Sequence, residues 1–177
     1  MFGLFKRNSR HRDAALDLYS AVVRQARQAR LYTGYGVPDT PDGRYDMIMV
    51  HAFLLLQRLK RDHDRTQDLG QAFFDLMFDD MDQNLREMGA GDIGVSHRIK
   101  DMAKAFYGRI AAYEDGMRRG DEALAAALAR NVYRNGDPAP GCIDGLAAYM
   151  RAQAAALAAQ STDDLSAGRV AFDEPSD

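Results

Sequence analysis

The stretch from Arg44 to Arg61 has an apolar middle with no polar face. At about 100° per residue its apolar side chains point in every direction around a helix axis. They are Met47, Ile48, Met49, Val50, Ala52, Phe53, Leu54, Leu55 and Leu56. Such a helix belongs in a protein core or in a bilayer. A membrane span needs about 20 apolar residues, whereas this run is interrupted by His51 and ends at Gln57. The pattern therefore predicts the central helix of an all-α domain.

Amphipathic patterns on both sides of this stretch predict helices that pack around it. Apolar residues recur there at spacings of three and four, which is typical of helices with one buried face. The predicted helices run from about Asp13 to Tyr32, Leu69 to Met88, Ser96 to Arg119, Asp121 to Arg134 and Cys142 to Gln160. Together with the central helix they predict a single irregular bundle of about six helices.

Two terminal segments, a helix cap and a polar hinge complete the predicted organisation. The bundle is expected to cover residues 12–160, after a flexible basic N-terminus at residues 1–11. Residues 161–177 carry acidic side chains and few large apolar ones, which predicts a disordered tail. Asp42 or Asp46 is expected to cap the central helix, and residues 62–68 are expected to form a polar hinge after it.

Charge is distributed unevenly along the 177 residues, although the formal net charge is only -3. That net charge argues against a general nucleic-acid binder, whose affinity depends on neutralising phosphates. Seven basic residues oppose two acidic ones from Met1 to Arg30, and nine acidic residues oppose two basic ones from Asp62 to Asp92. The asymmetry predicts either a basic surface for an anionic partner, such as an anionic membrane, or two solvated faces.

The single cysteine, Cys142, excludes an internal disulfide framework. No secretory signal is visible at the start of the chain. The expected compartment is therefore the cytoplasm or an equivalent reducing space.

Candidate chemistry centres on three carboxylates and a histidine. Asp75, Asp79 and Asp82 lie on one strip of a predicted helix, where they could bind a hard cation with His51 or His97. A solvated strip closed by an ion pair from Asp82 to Arg86 explains the same pattern. A lone histidine in an apolar helix is typical of a core residue with one hydrogen-bond partner, and catalysis would need a second titrating group. We expect no catalytic residue, no metal and no cofactor. A metal enzyme and a carrier of a quinone or lipid remain as alternatives.

A methionine and phenylalanine stripe beside a basic helix side is the predicted binding surface for a client or partner protein. Adaptable methionine-rich surfaces accept varied partners. The candidate residues are Phe74, Met77, Phe78 and Met81 on one helix and Arg98, Lys100 and Lys104 on the next. Stripes at helical spacing also fill protein cores, so an internal role for the apolar members is the alternative.

Three blocks of sequence resemble the ubiquinol-cytochrome c chaperones, the assembly factors of the cytochrome bc1 complex. They are GVPDTPDGRYDMIMVHAFLLLQRLK at residues 36–60, LGQAFFDLMFDDMDQNLREMG at 69–89 and GDIGVSHRIKDMAKAFYGRIAAY at 91–113. The order of GVPDT, DGR, a histidine in an apolar helix, LREMG followed by GD, and FYGR is more specific than any single motif. The short basic start is similar to that of the bacterial branch of the family.

The resemblance implies an all-helical protein without catalytic activity that binds newly made cytochrome b and supports assembly of the bc1 complex. Mitochondrial members act with a small partner protein and near the ribosome, so the resemblance also implies a small partner protein and the ribosome as partners of this chain. The resemblance implies no catalytic residues. The expected location is the cytoplasm, with peripheral contact at the inner face of the cytoplasmic membrane.

Overall fold

The computed structural model is an all-helical bundle organised around one long central helix. It describes residues 2–87, 92–134 and 136–175, and the side chains of residues 2–10, 85 and 92–99 lie outside this description. The helices are α1 (Phe2–Ala26), α2 (Ala29–Thr33), α3 (Pro41–Arg61), α4 (His63–Glu87), α5 (Asp92–Arg119), α6 (Asp121–Asn131), α7 (Cys142–Ala159) and α8 (Thr162–Ser166). No strand occurs in the described residues, and the predicted all-α class is confirmed.

The central helix α3 is buried on opposite sides by two apolar clusters. One side packs with α6 and α7 and includes Met47, Val50, Phe53 and Leu54. The other side packs with α1 and α4 and includes Met49, Ala52, Leu55 and Leu59. Because both sides meet other helices, the sequence of α3 needs no polar face in its middle. The prediction of a central core helix is therefore confirmed.

The start of α3 is fixed by a threonine cap and a glycine contact. The Gly43 backbone N–H donates to Thr40 Oγ1 at 3.1 Å, and Pro41 occupies the first turn. The prediction of Asp42 or Asp46 as the cap is wrong, because several neighbouring residues can cap and the loop path selects one. A Cβ on Gly43 would lie 1.9 Å from the Pro38 carbonyl oxygen, so the loop approaches α3 too closely for any side chain there.

The predicted first helix is divided into two. Gln28 adopts an extended conformation (φ -60°, ψ 124°) between α1 and α2. The break turns the short α2 so that Leu31 is fully buried in the cluster around α7. Apolar spacing continues through Ala26 and Ala29, so the pattern alone could not show this break. Helix α1 also begins at Phe2 rather than Asp13, and the flexibility expected for residues 1–11 stays a prediction.

The other helix boundaries differ from the prediction mainly at polar segments. Asp62 alone separates α3 from α4, so the predicted hinge at residues 62–68 is wrong. Those polar residues form the largely exposed first turns of α4, where only Thr66 is buried and its hydroxyl donates to the Leu59 carbonyl at 2.6 Å. Helix α5 begins at Asp92 rather than Ser96, and α6 ends at Asn131. No described helix has the length and apolar character that crossing a bilayer requires.

The segment after α7 packs against the bundle, which corrects the prediction of a disordered tail for residues 161–175. Leu165 of α8 is fully buried, and Val170 and Phe172 contact both apolar clusters. The segment contains few large apolar residues, but Leu165, Val170 and Phe172 all pack against the bundle. Arg58 joins the same region, because its Nε donates to the Leu157 carbonyl at 3.0 Å near the end of α7.

Candidate functional site

An open cleft of about 870 Å³ lies between the start of α3 and the sides of α1, α4 and α5. Four arginines and four aspartates line it, together with apolar side chains such as Tyr45, Ile48 and Met102. Most small-molecule pockets are predominantly apolar with a few polar groups. The cleft likewise exposes more apolar than polar surface, although eight charged side chains also line it.

A fully buried carboxylate, Asp46, lies beside this cleft between two arginines. Arg109 Nη2 is 2.8 Å from its Oδ1, and Arg134 Nη2 is 2.9 Å from its Oδ2. The distances are those of ion pairs, but neither carboxylate oxygen has a well-aligned hydrogen bond. Burial raises the pKa of Asp46 to about 6, against the opposite effect of the two arginines. The group ties α3 to α5 and to the segment after α6.

Aromatic rings surround the same ion pairs. The Arg109 guanidinium carbon lies 5.7 Å from the centroid of the Tyr45 ring, which suits a cation–π contact. Burial raises the pKa of Tyr45 to about 12 and also raises that of Tyr113, so both phenols are neutral. Because Asp46 has no exposed surface, it cannot exchange a proton with a substrate in the cleft. The arrangement provides structure rather than acid–base chemistry.

His51 lies at the centre of a second buried polar network. Its Nδ1 is 2.7 Å from the Met47 carbonyl oxygen, which can only accept, so Nδ1 carries the hydrogen. The Tyr149 hydroxyl therefore donates to Nε2 at 2.8 Å, and Gln25 Nε2 donates to that hydroxyl oxygen at 2.9 Å. Each buried polar atom of the ring thus has a partner. The interpretation of His51 as a satisfied core histidine is confirmed.

Burial lowers the pKa of His51 to about 4, while the bond to Met47 acts in the opposite direction. The folded protein therefore holds a neutral ring at pH values where an unfolded chain would already bind the proton. The contribution of this group to stability is present above the unfolded pKa of 6.5 and is lost as the pH falls from there towards about 4.

The predicted apolar candidates are largely part of the interior. Met77 is fully buried, and Phe78 and Met81 are 9% and 6% exposed. Phe74 is half-buried, and its ring centroid lies 4.6 Å from that of Phe78 and 6.0 Å from that of Phe106. In this structure Met77, Phe78 and Met81 fill the core, which was the alternative explanation of their spacing.

The predicted basic candidates meet an exposed aromatic residue that the sequence analysis did not select. Lys100 and Lys104 are exposed on α5, and Tyr107 lies on the same helix face with 59% of its surface exposed. The Tyr107 ring centroid is 5.7 Å from that of Phe74. We call Phe74, Lys100, Lys104 and Tyr107 the α4–α5 surface. Arg98 is in the part of α5 whose side chains are not described.

The acidic strip of α4 is exposed and already has local partners. Asp75 accepts a hydrogen bond from Gln71 at 2.7 Å, and Asp82 pairs with Arg86 at 2.6 Å as the sequence analysis suggested. Among the residues that the structure describes, no group of three or more histidine, cysteine or carboxylate side chains could hold a metal ion. His97 is among the residues without described side chains.

Two of the motifs that carry the family resemblance meet in space. Asp46 belongs to the DGRYD segment and Arg109 to FYGR, and the two side chains form the buried ion pair beside the cleft. Asp46 follows Asp42 and Arg44 at the polar start of α3, where the sequence favours a capping or exposed carboxylate. Neither the burial of Asp46 nor its pairing with Arg109 could therefore be identified from the sequence.

Comparison with known proteins identifies relatives that share one description, assembly of the ubiquinol-cytochrome c reductase complex. The ubiquinol-cytochrome C chaperone family model matches residues 33–172. Ubiquinol-cytochrome-c reductase complex assembly factor 1 of Xenopus laevis is 26% identical over 152 residues, which cover 86% of this chain and 76% of that protein. The human protein of the same description is also 26% identical over 152 residues. The chain spans about half the length of the mouse and human relatives, 52% and 51%.

A solved structure shares the whole fold. The crystal structure of the Cbp3 homolog from Brucella abortus matches with a TM-score of 0.85 and 38% sequence identity, covering 98% of this chain and 96% of that one. The relatives carry the description of bc1 assembly factors, and the resemblance predicted from the three motif blocks is confirmed. Since the family model spans most of the chain and the fold matches throughout, this chain belongs to the ubiquinol-cytochrome c chaperone family.

Proposed function

We propose that this protein is a non-catalytic assembly chaperone that binds newly made cytochrome b and supports assembly of the ubiquinol-cytochrome c reductase (bc1) complex. The observation that carries the proposal is the family match over residues 33–172, together with relatives described as assembly factors of that complex. The buried state of Asp46 and His51 is consistent with it, because neither group can reach a substrate.

We place the client on the α4–α5 surface. Tyr107 and Phe74 offer an aromatic contact area, and aromatic residues are enriched at protein–protein interfaces. Lys100 and Lys104 add positive charge beside it, which would orient a client segment with acidic neighbours. Arg98 remains a proposed member on the basis of the sequence alone.

The buried candidates would act through this surface rather than touch the client. Phe78 and Phe106 pack at 6.1 Å between ring centroids and hold α4 against α5. Met77 and Met81 fill the same interior. Their substitution by aspartate would place an unpaired charge in the core and unfold the protein, so variants at these positions do not test client binding.

The rival functions receive less support from the geometry. A quinone or lipid carrier would be expected to enclose its ligand among apolar side chains, whereas this cleft is open and combines apolar surface with eight charged residues. A metal enzyme would need a ligand set, which the described part of the chain does not bring together. A small partner protein, the ribosome and an anionic membrane at the cytoplasmic face remain proposed contacts.

A deletion strain tests the function. Cytochrome b should be synthesised at a normal rate but should fail to accumulate in assembled bc1 complex, while other respiratory complexes are largely preserved. The parent gene should restore the complex. Normal levels of assembled, haem-loaded cytochrome b in the deletion strain would contradict the proposed function.

Complementation with surface variants tests the site separately. Tyr107→Asp and the double variant Lys100→Glu with Lys104→Glu should fail to restore the complex, and both change side chains that are exposed in the structure. Arg61→Glu is the matched control, because it reverses an exposed charge at the end of α3. Restoration by every surface variant would remove the α4–α5 surface from the proposal and leave the function untouched.

A further inference from the structure

The segment after α8 is held to the bundle through its main chain. The Ala171 N–H donates to Gln160 Oε1 at 2.9 Å, and Gln160 Nε2 donates to the Ala171 carbonyl at 2.6 Å. The Asp173 N–H donates to Gln153 Oε1 at 3.0 Å, and Gln153 Nε2 donates to the Asp173 carbonyl at 2.9 Å. Two glutamine amides therefore bind one residue each, with both a donor and an acceptor. We call residues 169–174 the strap.

This hydrogen bonding requires an extended strap. The N–H and C=O of one residue point the same way only in extended backbone, and residues two apart then point to the same side. Burial alternates accordingly: Val170 and Phe172 are half-buried, and Ala171 and Asp173 are exposed. The side-chain amides of Gln153 on α7 and of Gln160 directly after it thus occupy the place that a neighbouring strand would have in a sheet.

The groove beneath the strap has a polar wall and an aromatic floor. Gln153 is 1% exposed and Gln25, which also donates to the Asp173 carbonyl at 2.7 Å, is 6% exposed. The Phe172 ring stands edge-on to the His51 ring, with centroids 5.5 Å apart and an interplanar angle of 86°. These groove residues belong to α1, α3 and α7, and they form their own network through Tyr149.

The hydrogen-bonded part of this recognition does not depend on the strap's sequence. The glutamines bind backbone groups that every residue except proline supplies. Only Val170 and Phe172 make packing contacts that depend on the identity of the side chain. Binding of an extended peptide by main-chain hydrogen bonds, with pockets for alternate side chains, is an established mode of peptide recognition. A different extended segment with the same alternation would satisfy the groove equally well.

We propose that the groove formed by Gln25, His51, Tyr149, Gln153 and Gln160 is a peptide-binding site that the chain's own strap occupies, and that an extended segment of a partner protein replaces the strap there. The partner segment presents an apolar residue and an aromatic residue two positions apart, without proline between them. The apparent affinity for such a segment is the intrinsic affinity multiplied by the fraction of molecules in which the groove is empty, so the strap lowers it. This site is separate from the α4–α5 surface and does not depend on the identity of the client.

A fluorescently labelled peptide, GRVAFDE, with the sequence of residues 168–174 tests the proposal with the full chain. Phe172→Ser weakens the strap but leaves the groove intact, so fluorescence anisotropy should show a Kd at least about tenfold lower than for the parent chain. Ala171→Ser is the matched control, because that side chain is exposed, and it should bind like the parent. Equal affinity of the parent and Phe172→Ser, or no binding to either, would overturn the proposal.

Main-chain recognition has its own test in the Phe172→Ser background. Adding Gln153→Leu should weaken peptide binding about tenfold, because it leaves the part-buried backbone N–H at the position of Asp173 without its acceptor. A peptide methylated on the amide nitrogens that correspond to Ala171 and Asp173 should lose affinity similarly. Undiminished binding of the methylated peptide would refute recognition through the backbone. Dimers formed by exchange of straps, detected by light scattering, would assign the groove to a second copy instead.

The parent chain supplies a test that does not depend on the folding of any variant. Millimolar peptide is comparable to the effective concentration of a tethered segment, so it should displace the strap in part of the molecules. Hydrogen exchange at the amides of Ala171 and Asp173, followed by NMR, should then become faster, while exchange within α3 stays unchanged. Unchanged exchange at both strap amides would contradict displacement.

Discussion

Replacement of Gly43 by alanine tests how closely the loop before α3 approaches the helix. The new Cβ would lie 1.9 Å from the Pro38 carbonyl oxygen and 3.0 Å from the carbonyl carbon. The backbone of the loop or of the first helical turn must therefore move by about 1.5 Å to restore an ordinary contact. Either movement disturbs the hydrogen bond from the Gly43 N–H to Thr40 Oγ1.

The expected loss follows from these two effects. Loss of the cap costs about 1 kcal/mol, and forced overpacking costs about 1 to 3 kcal/mol. The helix propensity of alanine offsets less than about 1 kcal/mol. We therefore expect Gly43→Ala to lower the free energy of unfolding by about 2 to 3 kcal/mol. Gly108→Ala is the matched control: a Cβ there meets nothing within 4 Å on an exposed part of α5, so this change should raise stability by about 0.5 to 1 kcal/mol.

Urea unfolding followed by far-ultraviolet circular dichroism measures both variants, with the m-value as a check that the unfolding transition is unchanged. The double variant Thr40→Ala with Gly43→Ala should lose less than the sum of the two single variants, because both changes remove the same cap. A loss below about 0.5 kcal/mol for Gly43→Ala would refute the argument, since it would mean that the loop yields without strain. Full additivity in the double variant would refute the shared cap.

Three further substitutions test the interior, each in urea or thermal unfolding. Between pH 4 and 7.5 the parent should lose stability relative to Asp46→Asn as the pH rises, because burial raises the pKa of Asp46 from 3.8 to about 6 and such a carboxyl stabilises the fold only while it is protonated. Asp42→Asn, with 79% of that side chain exposed, should stay within about 0.5 kcal/mol of the parent. Parallel pH profiles of the parent and Asp46→Asn would contradict the burial of this carboxylate. When the pH falls from 7.5 to 4.5, the free energy of unfolding of the parent should decrease by about 2 to 3 kcal/mol more than that of His51→Gln, since unfolding raises the pKa of this histidine from about 4 to 6.5. Parallel pH profiles of the two proteins would refute a buried neutral ring. Leu55→Ala should cost about 2 to 5 kcal/mol through the cavity it leaves, whereas Leu16→Ala, at a side chain 52% exposed, should cost less than about 1 kcal/mol. Equal costs would mean that α3 is not central.

The sequence by itself determined the central helix, the all-α class and the family. Apolar residues on every side of a helix exclude a solvated face, so the run from Met47 to Leu56 had to be enclosed by other elements. The ordered motifs identified the relatives before any contact was known. The histidine was also predictable, because a lone imidazole in an apolar helix must have a hydrogen-bond partner.

The identity of the contacts was decided only by the tertiary structure. His51 bonds to Tyr149, 98 positions away, and no local pattern specifies a partner at that distance. Periodicity shows that a helix has an apolar face, but it does not show whether the face meets another helix or solvent, so Met77 and Phe74 had the same signature although only Met77 is fully buried.

In the C-terminal segment, too, the sequence pattern and the tertiary structure determined different properties. Its composition predicts disorder because apolar residues are few, yet burial depends on where those residues lie and on what the bundle presents to them. Val170 and Phe172 alternate with exposed neighbours, and the amides of Gln153 and Gln160 pair with the backbone between them. Gln153 on α7 and Gln160 directly after it supply these partners, 20 and 11 positions before the residues they bind. The order of this segment therefore follows from the assembled helices, because they supply the amide partners and the apolar surface against which Val170 and Phe172 pack.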